Sequence, residues 1–149
     1  MILKRTNSLD ADFKALIKLL DQNLVEINGP IQAAYNQHNL IDFIETVVVA
    51  YDDDLPMGCG CFKKFDDQTI EIKRMYTRPI ARGKGIASAI LSELEAWALE
   101  TGYTGAVLET GRKHHEAISL YHKSGYADTE KYGPYIDLPE SVCMRKSLG

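Results

Sequence analysis

Much that would place this 149-residue chain outside a cell, in a membrane or on a nucleic acid is missing from it. Cysteine is scarce. Cys59, Cys61 and Cys143 make an odd count, and the first two alternate along a stretch that reads as a strand, so neither a disulfide framework nor a zinc knuckle is indicated. They read as reduced thiols that pack as small apolar groups. No apolar run is long enough to span a bilayer, and Met1-Ile2-Leu3-Lys4-Arg5-Thr6 lacks the apolar stretch of a signal peptide, so a cytoplasmic protein is expected. Low-complexity tracts, internal repeats and long linkers are also lacking. That leaves a single domain over residues 1–149, large enough to bury one sizeable core. Basic charge in bulk is lacking too: the formal net charge is -4, and the only basic cluster lies within residues 74–84, which argues against a nucleic-acid partner.

What is present is a stretch that reads as a strand turning through a glycine-basic loop straight into a helix: Glu71-Ile72-Lys73-Arg74-Met75-Tyr76-Thr77, then Arg78-Pro79-Ile80-Ala81-Arg82-Gly83-Lys84-Gly85, then Ile86-Ala87. Two glycines so close leave the backbone bare, so that several N–H groups can converge on one phosphate, aided by the positive end of the helix dipole. Arg82 and Lys84 add mobile positive charge. The loop lacks both the Gly-x-x-x-x-Gly-Lys-Ser/Thr phosphate loop and the third glycine of the dinucleotide fingerprint. Taken alone, it reads equally as a tight turn that binds nothing.

Along the rest of the chain, residues 2–6 form a first strand. Leu9, Phe13, Leu16, Ile17, Leu20 and Leu24 then recur at helical spacing behind Ser8 and Asp10 as caps, until Asn28-Gly29-Pro30 stops the helix. A second helical stretch is expected over residues 31–44, interrupted at Asn36-Gln37-His38-Asn39. From Thr46 onward β-branched and small residues alternate with acidic turns at Asp52-Asp53-Asp54 and Asp66-Asp67, giving three antiparallel strands, a meander. A long helix over residues 83–101 carries Ile86, Ala87, Ile90, Leu91, Leu94, Trp97 and Ala98 on one face, ended by Gly102. A strand over residues 104–110, a helix over residues 113–124 ended by Gly125, and strands near residues 126–131 and 141–147 complete the order β-α-α-β-β-β-α-β-α-β-β. This describes an α/β (α+β) domain with one mixed central sheet and an antiparallel N-terminal meander.

The loop is followed by a second motif, Glu116-Ala117-Ile118-Ser119-Leu120-Tyr121-His122-Lys123-Ser124-Gly125-Tyr126, similar to an Ala-x-x-Leu-Tyr-x-x-x-Gly-aromatic signature. The two motifs in this order, with a helix and a strand between them, resemble the GNAT superfamily of acetyl-CoA-dependent N-acetyltransferases over nearly the whole chain. The resemblance implies acetyl-CoA as co-substrate and no metal. It seats the pyrophosphate on the amides of Arg82, Gly83, Lys84, Gly85, Ile86 and Ala87, and runs the pantetheine arm along the backbone of Met75, Tyr76 and Thr77, in a gap between that strand and the one starting near Thr104. Two positions depart from the family pattern. Ile80 stands where Gln or Arg is frequent, and His114 stands where an Asn contacts the cofactor; an imidazole can still donate one hydrogen bond.

The resemblance also implies catalytic residues. Tyr121 matches the tyrosine that protonates the leaving thiolate, a task a phenol performs without prior ionisation; packing on its helical face is the alternative. Glu71 stands where many members carry the glutamate that accepts the amine proton. Strand alternation puts Glu71, Lys73 and Met75 on one face and Ile72, Arg74 and Tyr76 on the other, so Lys73 can instead hold Glu71 in an ion pair. Glu109 is the backup base, with a solvated strand-end carboxylate as the plainer reading. His114, His115 and His122 read as a surface cluster, since helical spacing supplies only two ligands.

The acceptor is expected to be a primary amine of a small molecule, amino acid or peptide, walled by the N-terminal helices and the loop over residues 132–140, with Tyr35, Glu26, Tyr135 and Asp137 as candidate contacts, each reading equally as packing or surface. A homodimer is compatible with this reading. The competing readings are an acyl-CoA-binding sensor or scaffold that transfers nothing, and an unrelated nucleotide-phosphate binder.

Overall fold

The computed structural model describes residues 1–28 and 43–149. The second helix expected over residues 31–44 falls almost wholly outside the described residues, as does Tyr35. Strand β1 (Ile2–Thr6) leads to helix α1 (Ala11–Asn28), then to β2 (Thr46–Asp52), β3 (Leu55–Lys64) and β4 (Thr69–Thr77). Helix α2 (Ile86–Glu100), β5 (Gly105–Gly111), α3 (His115–Lys123), β6 (Ala127–Thr129) and β7 (Ser141–Ser147) follow, with single 3-10 turns at Pro79–Ala81 and Gly133–Tyr135. The strands form one mixed sheet in the order β1-β2-β3-β4-β5-β7-β6, in which the last strand of the chain inserts between β5 and β6. No described helix is long and apolar enough to cross a membrane.

Local chemistry accounts for the element ends. Asp10 caps α1, its Oδ1 accepting the N–H groups of Asp12 at 2.9 Å and Phe13 at 3.0 Å. Asp53 and Asp54 both take positive φ, 49° and 65°, as a tight hairpin between twisted strands requires. Gly102, at φ 98°, ends α2 while Tyr103 N–H reaches back to the Ala98 carbonyl.

Two cores sandwich the sheet. Phe13, Leu16 and Leu20 of α1 lie on Val47, Val49, Cys59, Cys61 and Tyr76; Ile86, Ile90, Leu91 and Leu94 of α2, with Tyr121 of α3, lie on Val48, Ala50, Phe62, Ile72 and Leu108. All three cysteines are buried free thiols, and burial pushes Cys61 up to about 12, far from the thiolate form.

Strict alternation along β4 fails at one residue. Cys61 pairs with Lys73 while Cys59 pairs with Tyr76, so Arg74 and Met75 together oppose Gly60 in a β-bulge, and Arg74 takes φ 59°. After the bulge the faces exchange. Arg74 joins Glu71 and Lys73 on the α1 side, where its Nη1 meets Asp21 Oδ1 at 2.7 Å. Met75 turns to the α2 core and covers Gly60, where a Cβ would strike its sulfur, and Tyr76 packs into the α1 core. The expected grouping of Met75 with Glu71, and of Arg74 and Tyr76 with Ile72, is thereby corrected.

Candidate active site

The site begins where β4 and β5 part. These two strands are parallel and pair from Thr69 with Gly105 to Ile72 with Leu108, and no further. Beyond that point residues 73–77 of β4 and 109–111 of β5 are not paired with one another. A cleft of about 120 Å³ opens in the gap, lined among others by Glu71, Lys73, Glu109, His114, Tyr121 and Tyr135.

At one end the chain leads into the glycine loop. Gly83 and Gly85 have φ of 80° and 79°, the left-handed region that side chains with a Cβ rarely adopt, and a Cβ at either would meet open space. The glycines are therefore needed for backbone shape. Gly85 is the N-cap of α2 and supplies no side-chain cap, so the first-turn amides have no partner among the described residues. The Arg82 N–H is directed at the Pro79 carbonyl at 3.3 Å. Its Nε donates to the Thr77 carbonyl at 3.1 Å, tying the loop to the end of β4. Lys84 is exposed, and Ile80 is 77% exposed.

His114 caps the start of α3 by position but makes no side-chain cap, and its ring lies against Gly111, where a Cβ would come within 2.8 Å of the imidazole. Its Nε2 is buried without a hydrogen-bond partner, and burial holds the ring below its ordinary range, hence neutral near pH 7. A buried, unsatisfied nitrogen lining a cleft is a group shaped for a ligand atom. Free amides at the helix start, diverging strands and this nitrogen together suit a long ligand with a phosphate at one end.

The other end is ionisable. Glu71 and Lys73 are both buried, and Lys73 Nζ stands 3.9 Å from Glu71 Oε1. Lys63 Nζ reaches the same oxygen at 3.9 Å from the rim, and the Tyr132 hydroxyl donates to Oε2 at 2.8 Å. Lys73 donates to the Tyr135 hydroxyl at 3.3 Å, and burial lowers its pKa. Glu71 thus sits in the ion-pair arrangement that alternation allowed.

Glu109 departs from the plain expectation of a solvated strand end. It is half-buried in the cleft, its Oε2 accepts the Ser141 hydroxyl at 2.8 Å, and burial pushes its carboxyl up to about 7 against the pull of that hydrogen bond. Tyr121 is 6% exposed, edge-on to Tyr126 at 6.0 Å, and its phenol is pushed up by burial and then by the Glu109 charge. No described residue hydrogen-bonds its hydroxyl.

The structure brings Tyr121, Glu71, Glu109, His114 and Met75 to one cleft. It sets Glu26 apart, in a second groove of about 420 Å³ with Leu19, Tyr76, Arg78 and Ile80, and leaves Asp137 on the surface. His122 binds Asp128 at 2.8 Å on the outer surface. Sequence reasoning passed over Ser141 as a partner of Glu109 and Tyr132 as a partner of Glu71. Both bonds span long stretches of chain and leave no local pattern.

Known proteins share this architecture. A Klebsiella pneumoniae protein assigned to the acyl-CoA N-acyltransferases superposes with a TM-score of 0.80 at 29% identity, over 99% of this chain and 97% of that one. A Thermoplasma acidophilum PaiA N-acetyltransferase solved with coenzyme A shares the fold, with a TM-score of 0.70 at 19% identity over 99% of each chain. In sequence, the IAA acetyltransferase of Azospirillum brasilense is 32% identical over 98% of this chain and 97% of its own length. The profile of the Acetyltransferase (GNAT) family matches residues 13–126, which contain the splayed strands, the glycine loop and the Leu120-Tyr121 segment. With the family pattern spread over most of its length and a relative this similar along nearly all of it, the chain belongs to the GNAT family of acetyltransferases.

Proposed function

We propose that this acyltransferase moves an acetyl group from acetyl-CoA to a primary amine by direct transfer, with both substrates bound together, and that residues 1–149 act as one domain. The observation that carries the reading is the continuity of the parted β4–β5 pair with the uncapped start of α2. Strand-like ligand contacts on Met75, Tyr76 and Thr77 lead into amides at Gly83, Lys84, Gly85, Ile86 and Ala87, whose partial positive charge suits a pyrophosphate. Arg82 holds the loop in shape, and the buried Nε2 of His114 meets a polar atom of the same ligand.

Acetyl-CoA, when bound, supplies the activated thioester. The residues supply proton control. A carboxylate of the cleft takes a proton from the incoming ammonium, because only the neutral amine carries a lone pair to attack with. As the N–C bond forms and the C–S bond breaks, Tyr121 gives its proton to the departing sulfur and regains one from the new amide nitrogen. Its raised pKa keeps it protonated beforehand, as a general acid must be. Glu71 is held in place by Tyr132 and Lys73 at the ionisable end of the cleft.

The test has two parts. Acetyl-CoA should raise the melting temperature of the pure protein, and a panel of n-butylamine, tryptamine, spermidine, lysine and a short peptide with a free N-terminus should reveal amine-dependent CoA release, with the acetylated product identified by mass. No thermal shift at saturating acetyl-CoA sinks the reading.

A further inference from the structure

We propose that Glu140 selects the acceptor and that the acceptor is a diamine: one nitrogen attacks the thioester while a second, positively charged nitrogen rests on the Glu140 carboxylate. This rests on the acetyl-transfer reading and names a substrate class for the same cleft. The charged side chains lining the cleft differ in what they already hold. Glu71 accepts the Tyr132 hydroxyl at 2.8 Å, Lys73 donates to Tyr135 at 3.3 Å and stands 3.9 Å from Glu71, Arg74 meets Asp21 at 2.7 Å, and Glu109 accepts Ser141 at 2.8 Å. Glu140 lines the same cleft, half-buried, and its carboxylate has neither a hydrogen bond nor an ion pair with any described residue.

The main chain beneath that carboxylate is fixed. Arg112, in the turn between β5 and α3, donates its N–H to the Glu140 carbonyl at 2.7 Å and its Nη2 to the Pro139 carbonyl at 2.7 Å. On the other side the Ser141 N–H reaches back to the Leu138 carbonyl at 3.2 Å, which also accepts Lys131 Nζ at 2.8 Å. The loop is thus tied where it presents an acceptor-only side chain to the cleft. A molecule that fills the cleft strips water from this carboxylate. An apolar tail gives nothing back and is penalised, whereas an ammonium restores both the hydrogen bonds and the opposite charge. Lys73 and Arg74 already face carboxylates of their own, Glu71 and Asp21. The acceptor's two nitrogens therefore work in different states: the attacking one gives up its proton, and the other keeps its charge against Glu140.

The test pairs molecules of equal size and first needs no variant. Each α,ω-diamine with two to six carbons is compared with the n-alkylamine in which a methyl group replaces the second nitrogen. By CoA release, the best diamine should exceed its partner in kcat/KM by at least about tenfold, mainly through KM. With CoA bound in place of acetyl-CoA, so that nothing is transferred, that diamine should also raise the melting temperature further than its partner does. Glu140→Gln should bring the ratio close to one with the acetyl-CoA thermal shift retained, and Glu140→Asp should keep part of it. Arg112→Ala should lower the ratio through the KM of the diamine, and Arg112→Lys should recover part of the loss. A wild-type ratio near one at every chain length, or a Glu140→Gln ratio equal to that of wild type, overturns the assignment, while CoA release with monoamines still upholds acetyl transfer. A folded Glu140→Gln protein that no longer responds to acetyl-CoA overturns it too, because the carboxylate then serves the cofactor. No CoA release with any amine overturns acetyl transfer and this assignment together.

Discussion

The two ends of the cleft are built from different materials. The glycine loop works through main chain: positive-φ glycines and an uncapped helix start present amides, and the side chains of Lys84 and Ile80 point into solvent. The far end works through side chains from four elements, Glu71 and Lys73 on β4, Glu109 on β5, Tyr121 on α3, and Tyr132 and Tyr135 in the loop before β7. A backbone site is fixed by conformation and tolerates side-chain change. A side-chain network is fixed by partners, so changing one group disturbs the others. Binding and chemistry should therefore fail separately.

The largest separation is expected at Tyr121. Tyr121→Phe removes a hydroxyl that no described residue hydrogen-bonds, so folding should change little, whereas loss of general acid catalysis should lower kcat by about 10²–10⁴-fold. The acetyl-CoA thermal shift should persist. An unchanged kcat would make Tyr121 a packing residue of the α2-side core. Gly85→Asp is the converse. A Cβ at φ 79° costs about 1–2 kcal/mol, and a carboxylate would face the phosphate it replaces room for. At acetyl-CoA a hundredfold above its wild-type Kd, the stabilisation of about 2.7 kcal/mol should vanish. Retention of the shift would break the idea that this loop is the anchor.

How legible each end was in the sequence follows from the same difference. The loop, helix α2 and the Leu120-Tyr121 segment are local: two glycines, a 3.6-residue apolar period and a terminating glycine all lie within a few turns of one another. The meander and the final strands also read correctly, because period-2 patterns bounded by acidic turns are local. The insertion of β7 between β5 and β6 is not, since chain order does not state spatial order. The bulge at Arg74 gave no warning either. An extra residue in a strand changes no composition, yet it moves Met75 and Tyr76 each to the face opposite the one alternation assigns it. Glu109 looked like a surface carboxylate because its Ser141 bond comes from β7, over thirty residues away.

A stability measurement sharpens the contrast. The Glu109 carboxyl, held at about 7 in the fold against an ordinary 4.5, keeps its proton in the native state where the unfolded chain has lost it. Wild-type stability should therefore fall as pH rises from about 4.5 through 7. Glu109→Gln cannot ionise, so above pH 7 it should be more stable than wild type by on the order of 1–3 kcal/mol, and near pH 4 about equal. Denaturant midpoints at pH 4, 6 and 8 check the sign. A variant less stable than wild type at pH 8 would mean that the ionised form is the one the fold favours.

The smallest effect is the sharpest test of a backbone-built loop. Lys84 is exposed, and an exposed charge near a phosphate is screened by salt and solvent, with typical values of about 0–1 kcal/mol. Lys84→Ala keeps the amide and the flanking glycines, so acetyl-CoA affinity by calorimetry should weaken by only about two- to fivefold, less still at 0.5 M salt, with kcat unchanged. A hundredfold loss that persisted at high salt would place the ammonium, rather than the amides, at the centre of phosphate binding. The loop would then resemble the cleft, held together by what its side chains touch.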